Sequence, residues 1–174
     1  MTTKLLGCNI FFMTKLAMPK IDRKLISKKK DIITDLKKIV KAGNVLDHED
    51  EIRPFETDAL SAYKQKPLAV IFPENTEEVS KILAYCNQER IKVVPRGAGT
   101  GLSGGALPLQ DSLLLCLGKF NKIINIDYKN RCVVAQPGVT NLSITQAVQD
   151  KGFYYAPDPS SQIACSIGGN VAEN

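Results

Sequence analysis

The amino-acid sequence predicts a mixed α+β protein organised around a sheet. Residues 68–72 (LAVIF) form a continuous apolar run of strand length, residues 75–89 show the apolar spacing of a helix, and residues 91–94 return as a second strand. A strand, a helix and a strand in this order are the parts of a right-handed parallel crossover. Three further strand-like runs come later in the chain, at residues 112–117, 122–127 and 131–136.

The elements before this unit are predicted to be helical and then irregular. Residues 20–42 place apolar side chains at helical spacing, and Gly43 stands where such a helix would end. The lysines of residues 28–30 are interpreted as its solvated face. Residues 47–66 are acidic and interrupted by proline, which indicates a long connection with about one helical turn.

Within the crossover, the helix has recognisable start and packing signals. Asn75 and Glu78 match a capping box at its first turn. The side chains expected to pack on the sheet are Val79, Ile82, Leu83 and Cys86. Because residues 68–72 contain no polar residue, we expect that strand to be buried on both faces. A later helix is predicted at residues 141–151, ended by Gly152.

Composition places the chain among ordinary globular proteins. Its 174 residues are 44% hydrophobic and 24% charged, which fits one domain and excludes a disordered chain. The net charge of +5 is unevenly distributed: residues 1–30 carry +7 and residues 31–174 carry −2. The basic character therefore belongs to the N-terminal segment, and nucleic acid is not expected as a partner.

Cysteine and histidine usage argues against metal and imidazole chemistry. The five cysteines, at positions 8, 86, 116, 132 and 165, are at least 16 residues apart, so no zinc or iron–sulfur pattern can be written. Unpaired scattered thiols suit a reducing compartment. His48 is the single histidine, and its acidic neighbours favour a solvated surface position.

Residues 1–17 are interpreted as an upstream extension, with Met18 as the start of the protein. A lipobox-like sequence ends at Cys8 but lacks the preceding apolar region, and the run at residues 10–13 is far too short to span a membrane. The segment has neither the Arg nor the Ser of a mitochondrial leader. The expected domains are then residues 18–66, a helical segment with its connection, and residues 67–174, a ligand-binding domain.

A glycine-rich loop comes directly after the second strand of the crossover. Residues 95–105 (PRGAGTGLSGG) contain five glycines at the C-terminal end of a parallel strand, where open sheets bind ligands. Glycines allow consecutive backbone N–H groups to face a ligand closely, which suits phosphate or pyrophosphate. Thr100 and Ser103 would add hydroxyl donors, and Arg96 would add positive charge.

Two better-known phosphate-binding loops are disfavoured. Gly99, Gly101 and Gly104 match G-x-G-x-x-G, and Asp127 lies about where a ribose-binding acid would be. That motif must open a helix, however, whereas this loop leads to another strand. A Walker loop needs a lysine directly after its last glycine, and after Gly105 no lysine follows until Lys119.

Two further clusters suggest an extended groove. One comprises residues 155–161 (YAPDPSS) and 165–170 (CSIGGN), which combine a proline-flanked turn with hydroxyl groups, a glycine pair and an amide. The other is residues 136–139 (QPGV), between a strand and a helix. Three such turns around one sheet favour a long ligand over a mononucleotide.

The motifs at residues 67–70, 95–105, 135–139 and 157–170 resemble the PCMH-type FAD-binding domain of vanillyl-alcohol oxidase-like flavoproteins. The similarity runs from about Met18 to the last residue and is greatest to the branch of glycolate oxidase FAD subunits and D-lactate dehydrogenases. It implies a small parallel βαβ subdomain and a second, mostly antiparallel sheet subdomain, incomplete here. It also implies these FAD-binding residues: Arg96, Gly97, Ala98, Gly99, Thr100, Gly101, Ser103, Gly104, Gly105, Pro137, Gly138, Val139, Pro157, Asp158, Ser160, Ser161, Cys165, Ser166, Gly168, Gly169 and Asn170.

The resemblance implies roles for these groups of residues. Residues 96–105 would bind the FAD pyrophosphate, residues 137–139 the nucleotide side, and residues 157–170 the flavin and ribityl region. Relatives with covalent FAD attached through this loop carry a histidine there, and this loop has none, so we expect FAD to be dissociable. Catalytic and metal-binding residues of the family lie beyond Asn174, so the chain is expected to be the N-terminal part of its enzyme and none is assigned here.

The activity implied is oxidation of a small 2-hydroxy acid, with hydride passing from its α-carbon to FAD and electrons leaving to an acceptor or partner subunit. No transmembrane segment is expected. The location implied is the cytoplasm, peripheral to the membrane at most, or the mitochondrion in a eukaryote. Two alternatives stay open: another oxidase or reductase of the same superfamily, and a non-catalytic FAD-binding remnant.

Overall fold

The structure, a computed structural model, describes residues 19–157 and 159–173. The interpretation of residues 1–17 as an extension and the assignment of Asp158 to the FAD site lie outside the described residues. The helices are α1 Arg23–Ser27, α2 Lys29–Ile39, α3 Glu49–Ile52, α4 Thr76–Glu89, α5 Asn141–Val148 and α6 Ile167–Glu173. The strands are β1 Val45–Leu46, β2 Ala69–Ile71, β3 Lys92–Arg96, β4 Ser112–Cys116, β5 Ile123–Asp127 and β6 Cys132–Ala135.

The main sheet has the strand order β1-β2-β4-β3. β4 lies parallel to both neighbours, with Leu114 opposite Val70 of β2 and Val94 of β3. The short strand β1 pairs antiparallel with β2. The predicted strand, helix and strand of the crossover are therefore present and parallel, although β4 separates the two strands. β5 and β6 form a separate antiparallel pair, which confirms the mixed α+β class.

The main sheet is buried on both faces. Ala69, Val70 and Ile71 are completely buried, as the apolar run predicts. Along β4, Leu113 and Leu115 belong to the core under α1, α2 and α4. Leu114 and Cys116 belong to a smaller core on the opposite face, together with residues of α3 and the turn after it. Burying each large aliphatic side chain contributes about 1.5–3 kcal/mol, so this sheet is a rigid support for the loops at the ends of its strands.

The N-terminal helix differs from its prediction in two ways. It is divided at Lys28, whose ψ of 4° leaves helical geometry, while the Asp22 side chain caps α1 by accepting from the Lys24 N–H at 2.9 Å. It also ends before Gly43. Val40 takes an extended conformation (φ −120°, ψ 165°) and is buried, and Gly43 lies in the 3-10 turn Ala42–Asn44. The prediction that Gly43 ends this helix is wrong because a buried β-branched residue already starts the path to β1.

The crossover helix α4 is confirmed with one correction. The Asn75 side chain accepts a hydrogen bond from the Glu78 N–H at 2.9 Å, as a cap should. Ile82 and Cys86 are buried, but Leu83 is 46% exposed. Leu83 lies at the edge of the stripe, one step of about 100° beyond Ile82, and the sheet does not reach it.

The C-terminal part contains one helix that the sequence predicted and one that it did not. α5 continues as the 3-10 turn Gln149–Lys151 and ends at Gly152, whose φ of +75° is the left-handed geometry expected of glycine there. α6 contains the Gly168 and Gly169 pair, which was predicted to form a turn. A glycine pair disfavours helix locally, so packing against neighbouring segments decides this helix.

Candidate functional site

The glycine-rich loop begins where β3 ends and leads directly into β4. Its carbonyl groups are used: Gly99 accepts from the Ala59 N–H at 2.9 Å and Gly104 accepts from the Leu107 N–H at 3.2 Å. Its N–H groups are not. From residue 97 to residue 105, no backbone N–H donates a hydrogen bond to any group in residues 19–157 or 159–173. A series of unused donors at the end of a strand is suited to an anionic ligand.

The side chain of Arg96 packs against the start of this loop. Its guanidinium donates to the carbonyl oxygen of Thr57 at 2.8 Å and to that of Ala106 at 3.4 Å. The same group lies over the Phe55 ring, 5.8 Å from the centroid. A Cβ atom at Gly99 would be 2.2 Å from Arg96 Nη2, and the φ of +73° at this position disfavours any residue other than glycine. Arg96 thus contributes its charge from beneath the loop.

The motifs at residues 136–139 and 165–170 contact each other beside the loop. The N–H of Ile167 donates to the carbonyl of Val139, and the N–H of Gly168 donates to that of Pro137, both at 2.8 Å. A Cβ atom at Gly168 would be 2.6 Å from Pro137 Cβ, so this close approach requires glycine. The motif at residues 165–170 is thereby fixed to the turn that precedes α5.

Buried side-chain amides join these segments. Asn141, the first residue of α5, is 1% exposed; its amide donates to the carbonyl of Pro157 at 3.1 Å and its oxygen accepts from Asn170 Nδ2. The sequence motifs predicted Asn170 and Pro157 for the site but not Asn141. The position of Asn141 after the helix cap Thr140 marks a helix start, but its partners lie 16 and 29 residues away along the chain.

The three motifs enclose one cavity of about 420 Å³, a volume within the range of ligand pockets. The sequence-predicted residues that line it are Arg96, Gly97, Ala98, Gly99, Thr100, Gly101, Gly105, Pro137, Ser161, Cys165, Ser166, Gly168, Gly169 and Asn170. Segments that are far apart in the sequence are therefore brought together as the three-turn groove predicts.

The other predicted residues of the described chain lie outside the cavity lining, in supporting positions. Gly138 is closed in by backbone, since a Cβ atom there would be 2.5 Å from the carbonyl oxygen of Leu117. Val139 is buried, and Gly104 has the left-handed φ of +79°. The Ser103 hydroxyl donates a hydrogen bond to Glu173, which lines the cavity, and the carbonyl of Pro157 accepts one from the Asn141 amide. Ser160 is exposed.

Further residues line the cavity that were not assigned to the site from the sequence: Pro95, which belongs to the loop motif, and Ala106, Leu117, Ala172 and Glu173, which lie outside the motifs. Glu173 is the most informative of these, because it is acidic. It lies one helical turn beyond Asn170 on α6, so a helix prediction for this segment would have placed both side chains on one face.

Ionisable groups near the cavity are few. Among the lining residues of the described chain, Arg96 is the cation and Glu173 the carboxylate. Behind Arg96, burial raises the pKa of the Cys116 thiol to about 12, against the opposite effect of the guanidinium charge. In residues 19–157 and 159–173, no group of three His, Cys, Asp or Glu side chains could hold a metal ion.

Features of the cavity fit a dinucleotide that carries a pyrophosphate and hydroxyl groups. The loop offers unused N–H donors, and the 6% exposed Ser166 has a buried Oγ without a hydrogen-bond partner in the described chain. Such buried polar atoms normally have a partner, which a bound ligand or water can supply. The glycines add no side chains of their own next to these donors.

The fold and the cavity together define a dinucleotide-binding domain of mixed α+β type. Residues 67–174 match the FAD binding domain family, and the chain therefore belongs to this family of flavoprotein domains, with FAD as its cofactor.

Similar proteins agree with this membership. The chain is 51% identical over 158 residues to glycolate oxidase subunit GlcD of Escherichia coli, covering 91% of this chain and 30% of that protein. It is 39% identical over 127 residues to D-lactate dehydrogenase of Anaerostipes hadrus, covering 72% and 26%. Among solved structures, 4-ethylphenol oxidase from Gulosibacter chungangensis superposes with a TM-score of 0.72 at 27% identity, covering 83% of this chain and 28% of the other.

The chain thus spans about 30% of the length of the glycolate oxidase subunit that it matches. In the part of the chain that the structure describes, no helix has the length and apolarity needed to cross a membrane.

Proposed function

We propose that this chain is the FAD-binding portion of a flavin-dependent 2-hydroxy-acid dehydrogenase or oxidase of the glycolate or D-lactate type. The single observation that carries the proposal is the joining of three separate motifs around one cavity whose loop has unused N–H donors. The 51% identity to a glycolate oxidase subunit supports the substrate class. Bound FAD would supply a two-electron acceptor for the hydride of the substrate α-carbon, and release of the hydroxyl proton to a base or to solvent would complete the 2-keto acid.

The residues of this chain hold and orient the cofactor. We assign residues 96–105 to the pyrophosphate, because the N–H groups of residues 97–105 are free in the described chain and each charge-assisted hydrogen bond contributes about 1.5–3 kcal/mol. Residues 157–170 are assigned to the flavin and ribityl region and residues 137–139 to the nucleotide side. Within the second group, Ser166 supplies a buried hydroxyl that is ready to donate or accept.

The domain boundary at residue 67 belongs to this proposal. The family match begins there, while the helices before it share the core of the same sheet, with Leu36 of α2 in one cluster with Leu113 of β4. Residues 18–66 are therefore proposed to be a packed support of the FAD domain.

Partners and location are inferred from the proposed chemistry. The substrate is a small 2-hydroxy acid, and the electrons pass to an acceptor or to partner subunits. FAD is held without a covalent bond. We propose a cytoplasmic protein that contacts membranes peripherally at most, or a mitochondrial one in a eukaryotic cell.

The test is reduction of bound flavin in the purified full-length protein. Under anaerobic conditions, we expect glycolate, D-lactate or D-2-hydroxyglutarate to bleach the visible absorbance of the flavin. L-lactate serves as the control of opposite configuration. Acid precipitation should leave all yellow colour in the supernatant. Flavin that is reduced by none of the three acids would contradict the substrate class.

A second candidate is a phenol-oxidising member of the same superfamily. It is favoured by the superposition on 4-ethylphenol oxidase with a TM-score of 0.72. Reduction of the flavin by 4-ethylphenol and by none of the hydroxy acids would establish it, whereas a protein that binds FAD and is reduced by neither class would be a non-catalytic binding module.

A further inference from the structure

A carboxylate from α6 reaches the glycine-rich loop. Ser103 Oγ donates a hydrogen bond to Glu173 Oε2 at 2.9 Å, across 70 residues of sequence. The other carboxylate oxygen lies so close to the loop that a Cβ atom at Gly101 would be 3.2 Å from it, and one at Gly105 would be 2.9 Å from it. The loop therefore curves around this carboxylate.

The contact joins two parts of the proposed FAD site. Ser103 and its flanking glycines belong to the loop assigned to the pyrophosphate, whereas Glu173 belongs to the helix that carries Gly168, Gly169 and Asn170. Within residues 97–105 of the described chain, the side chain that forms a hydrogen bond to another segment is that of Ser103. Holding a glycine-rich loop in one conformation costs backbone entropy, and a bond at its middle reduces the cost that ligand binding must meet.

The hydrogen bond and the charge of Glu173 act in opposite directions on an anionic ligand. The bond fixes the loop with its N–H groups free. The charge places a carboxylate at the edge of the cavity that is to receive a pyrophosphate, and like charges repel across the cavity. Arg96, the lining cation, already donates to two backbone carbonyls.

On the basis of the proposed FAD binding, we propose that Glu173 is a positioning residue that holds the glycine-rich loop through its hydrogen bond from Ser103, while its negative charge weakens the binding of FAD. The side chain acts as an acceptor. An amide oxygen at the same place would still accept the hydrogen bond from Ser103, more weakly than a carboxylate, and would not repel the pyrophosphate.

The test compares FAD dissociation constants of full-length variants, measured by quenching of flavin fluorescence. Glu173→Gln keeps an acceptor and removes the charge, so it should bind FAD at least as tightly as the wild type, with the gain shrinking as salt is added. Glu173→Ala and Ser103→Ala each remove the hydrogen bond. Glu173→Ala should bind about five-fold more weakly than Glu173→Gln, and adding Ser103→Ala to it should weaken binding no further.

Limited proteolysis by chymotrypsin after Leu102, which is 72% exposed, gives a second measurement in the protein freed of FAD, so it does not depend on the cofactor. Cleavage there should be faster in Glu173→Ala and in Ser103→Ala by the same factor, and slower in Glu173→Gln than in either. The matched controls are Glu77→Gln and Ser80→Ala, both on exposed positions of α4; they should leave both measurements unchanged.

The outcomes separate this inference from the proposed function. A Glu173→Gln variant that is as weak as Glu173→Ala, or single-variant effects that multiply in the double variant, would overturn the positioning role. A wild-type protein that binds no FAD would overturn the proposed function, and the rates of cleavage after Leu102 would still decide whether Glu173 holds the loop.

Discussion

The hydroxyl group of Ser166 lies directly against the backbone of Gly97, so that a Cβ atom added to Gly97 would be 2.3 Å from Ser166 Oγ. The two residues belong to different motifs, and their contact closes one side of the proposed FAD cavity. Gly97→Ala should turn the Ser166 hydroxyl out of this position and weaken FAD binding about ten-fold, since a lost hydrogen bond of a buried group costs about 1–3 kcal/mol.

The control for this substitution is Gly118→Ala, because a Cβ atom at Gly118 would meet nothing within 4 Å. Titration of FAD against both full-length variants measures the difference. Equal dissociation constants for the two variants would show that the close approach of Gly97 to Ser166 is not needed for the site.

Asn141 is expected to matter for stability although it lies outside the cavity lining. Replacing it with alanine leaves the carbonyl of Pro157 and the amide of Asn170 without their buried partner. We expect Asn141→Ala to lower the free energy of unfolding by about 2 kcal/mol, measured by urea denaturation. Asn125→Ala, at an exposed position of β5, should change it by less than about 0.5 kcal/mol. A similar small loss at both positions would argue against the buried network.

Glu74 makes the stability of the protein depend on pH in the acidic range. Hydrogen bonds from Lys41 at 2.6 Å, and from Asn44 and Lys119 at 3.1 Å, lower its pKa from 4.5 to about 2. Because the folded pKa is below the unfolded one, these bonds stabilise the fold fully above pH 4.5, and their contribution is lost as the pH falls toward 2.

The corresponding measurement is the free energy of unfolding of the wild type and of Glu74→Gln at several pH values. The wild type should be the more stable at neutral pH, and the difference should shrink steadily below pH 4.5. Glu89→Gln is the control, because Glu89 forms no ion pair in the described part of the chain. A difference for Glu74→Gln that is independent of pH would contradict the assigned hydrogen bonds.

The described cysteines should differ sharply in reactivity. Cys132 is exposed, whereas Cys86, Cys116 and Cys165 are buried. Burial also raises the pKa of Cys86 to about 11 and that of Cys116 to about 12, which makes the reactive thiolate scarce at pH values near neutrality. Brief treatment with iodoacetamide should therefore modify Cys132 in the folded protein, and the other three only after unfolding in guanidinium. Peptide mass spectrometry would reveal a contrary pattern, such as early modification of Cys116.

Local signals in the sequence predicted the main sheet and the position of the glycine-rich loop. The apolar run of β2, the cap at Asn75 and the left-handed Gly152 each depend on neighbouring residues, and the structure has all three. The errors arose where distant parts of the chain decide. Gly43 does not end its helix and Leu83 does not face the sheet, because the burial of Val40 and the extent of the sheet are tertiary properties.

The same division applies to the candidate site. Fourteen of the predicted residues line the cavity, since glycine, proline and hydroxyl clusters are visible in sequence. Asn141 and Glu173 were missed because a lone amide and a lone carboxylate carry no local signature. Their partners lie 29 and 70 residues away, a distance that a pattern within one segment cannot bridge.

The glycine-rich loop also belongs to the connection between two neighbouring strands, β3 and β4. The two strands are parallel neighbours, so the chain must travel back along the whole sheet between Arg96 and Ser112, about 17 Å for five residues. A helix usually makes such a return path, but here residues 97–111 make it without one. Loss of several residues from this loop would therefore shift or separate the central strands as well as damage the cavity, so the length of the loop is constrained by the topology of the sheet independently of any ligand.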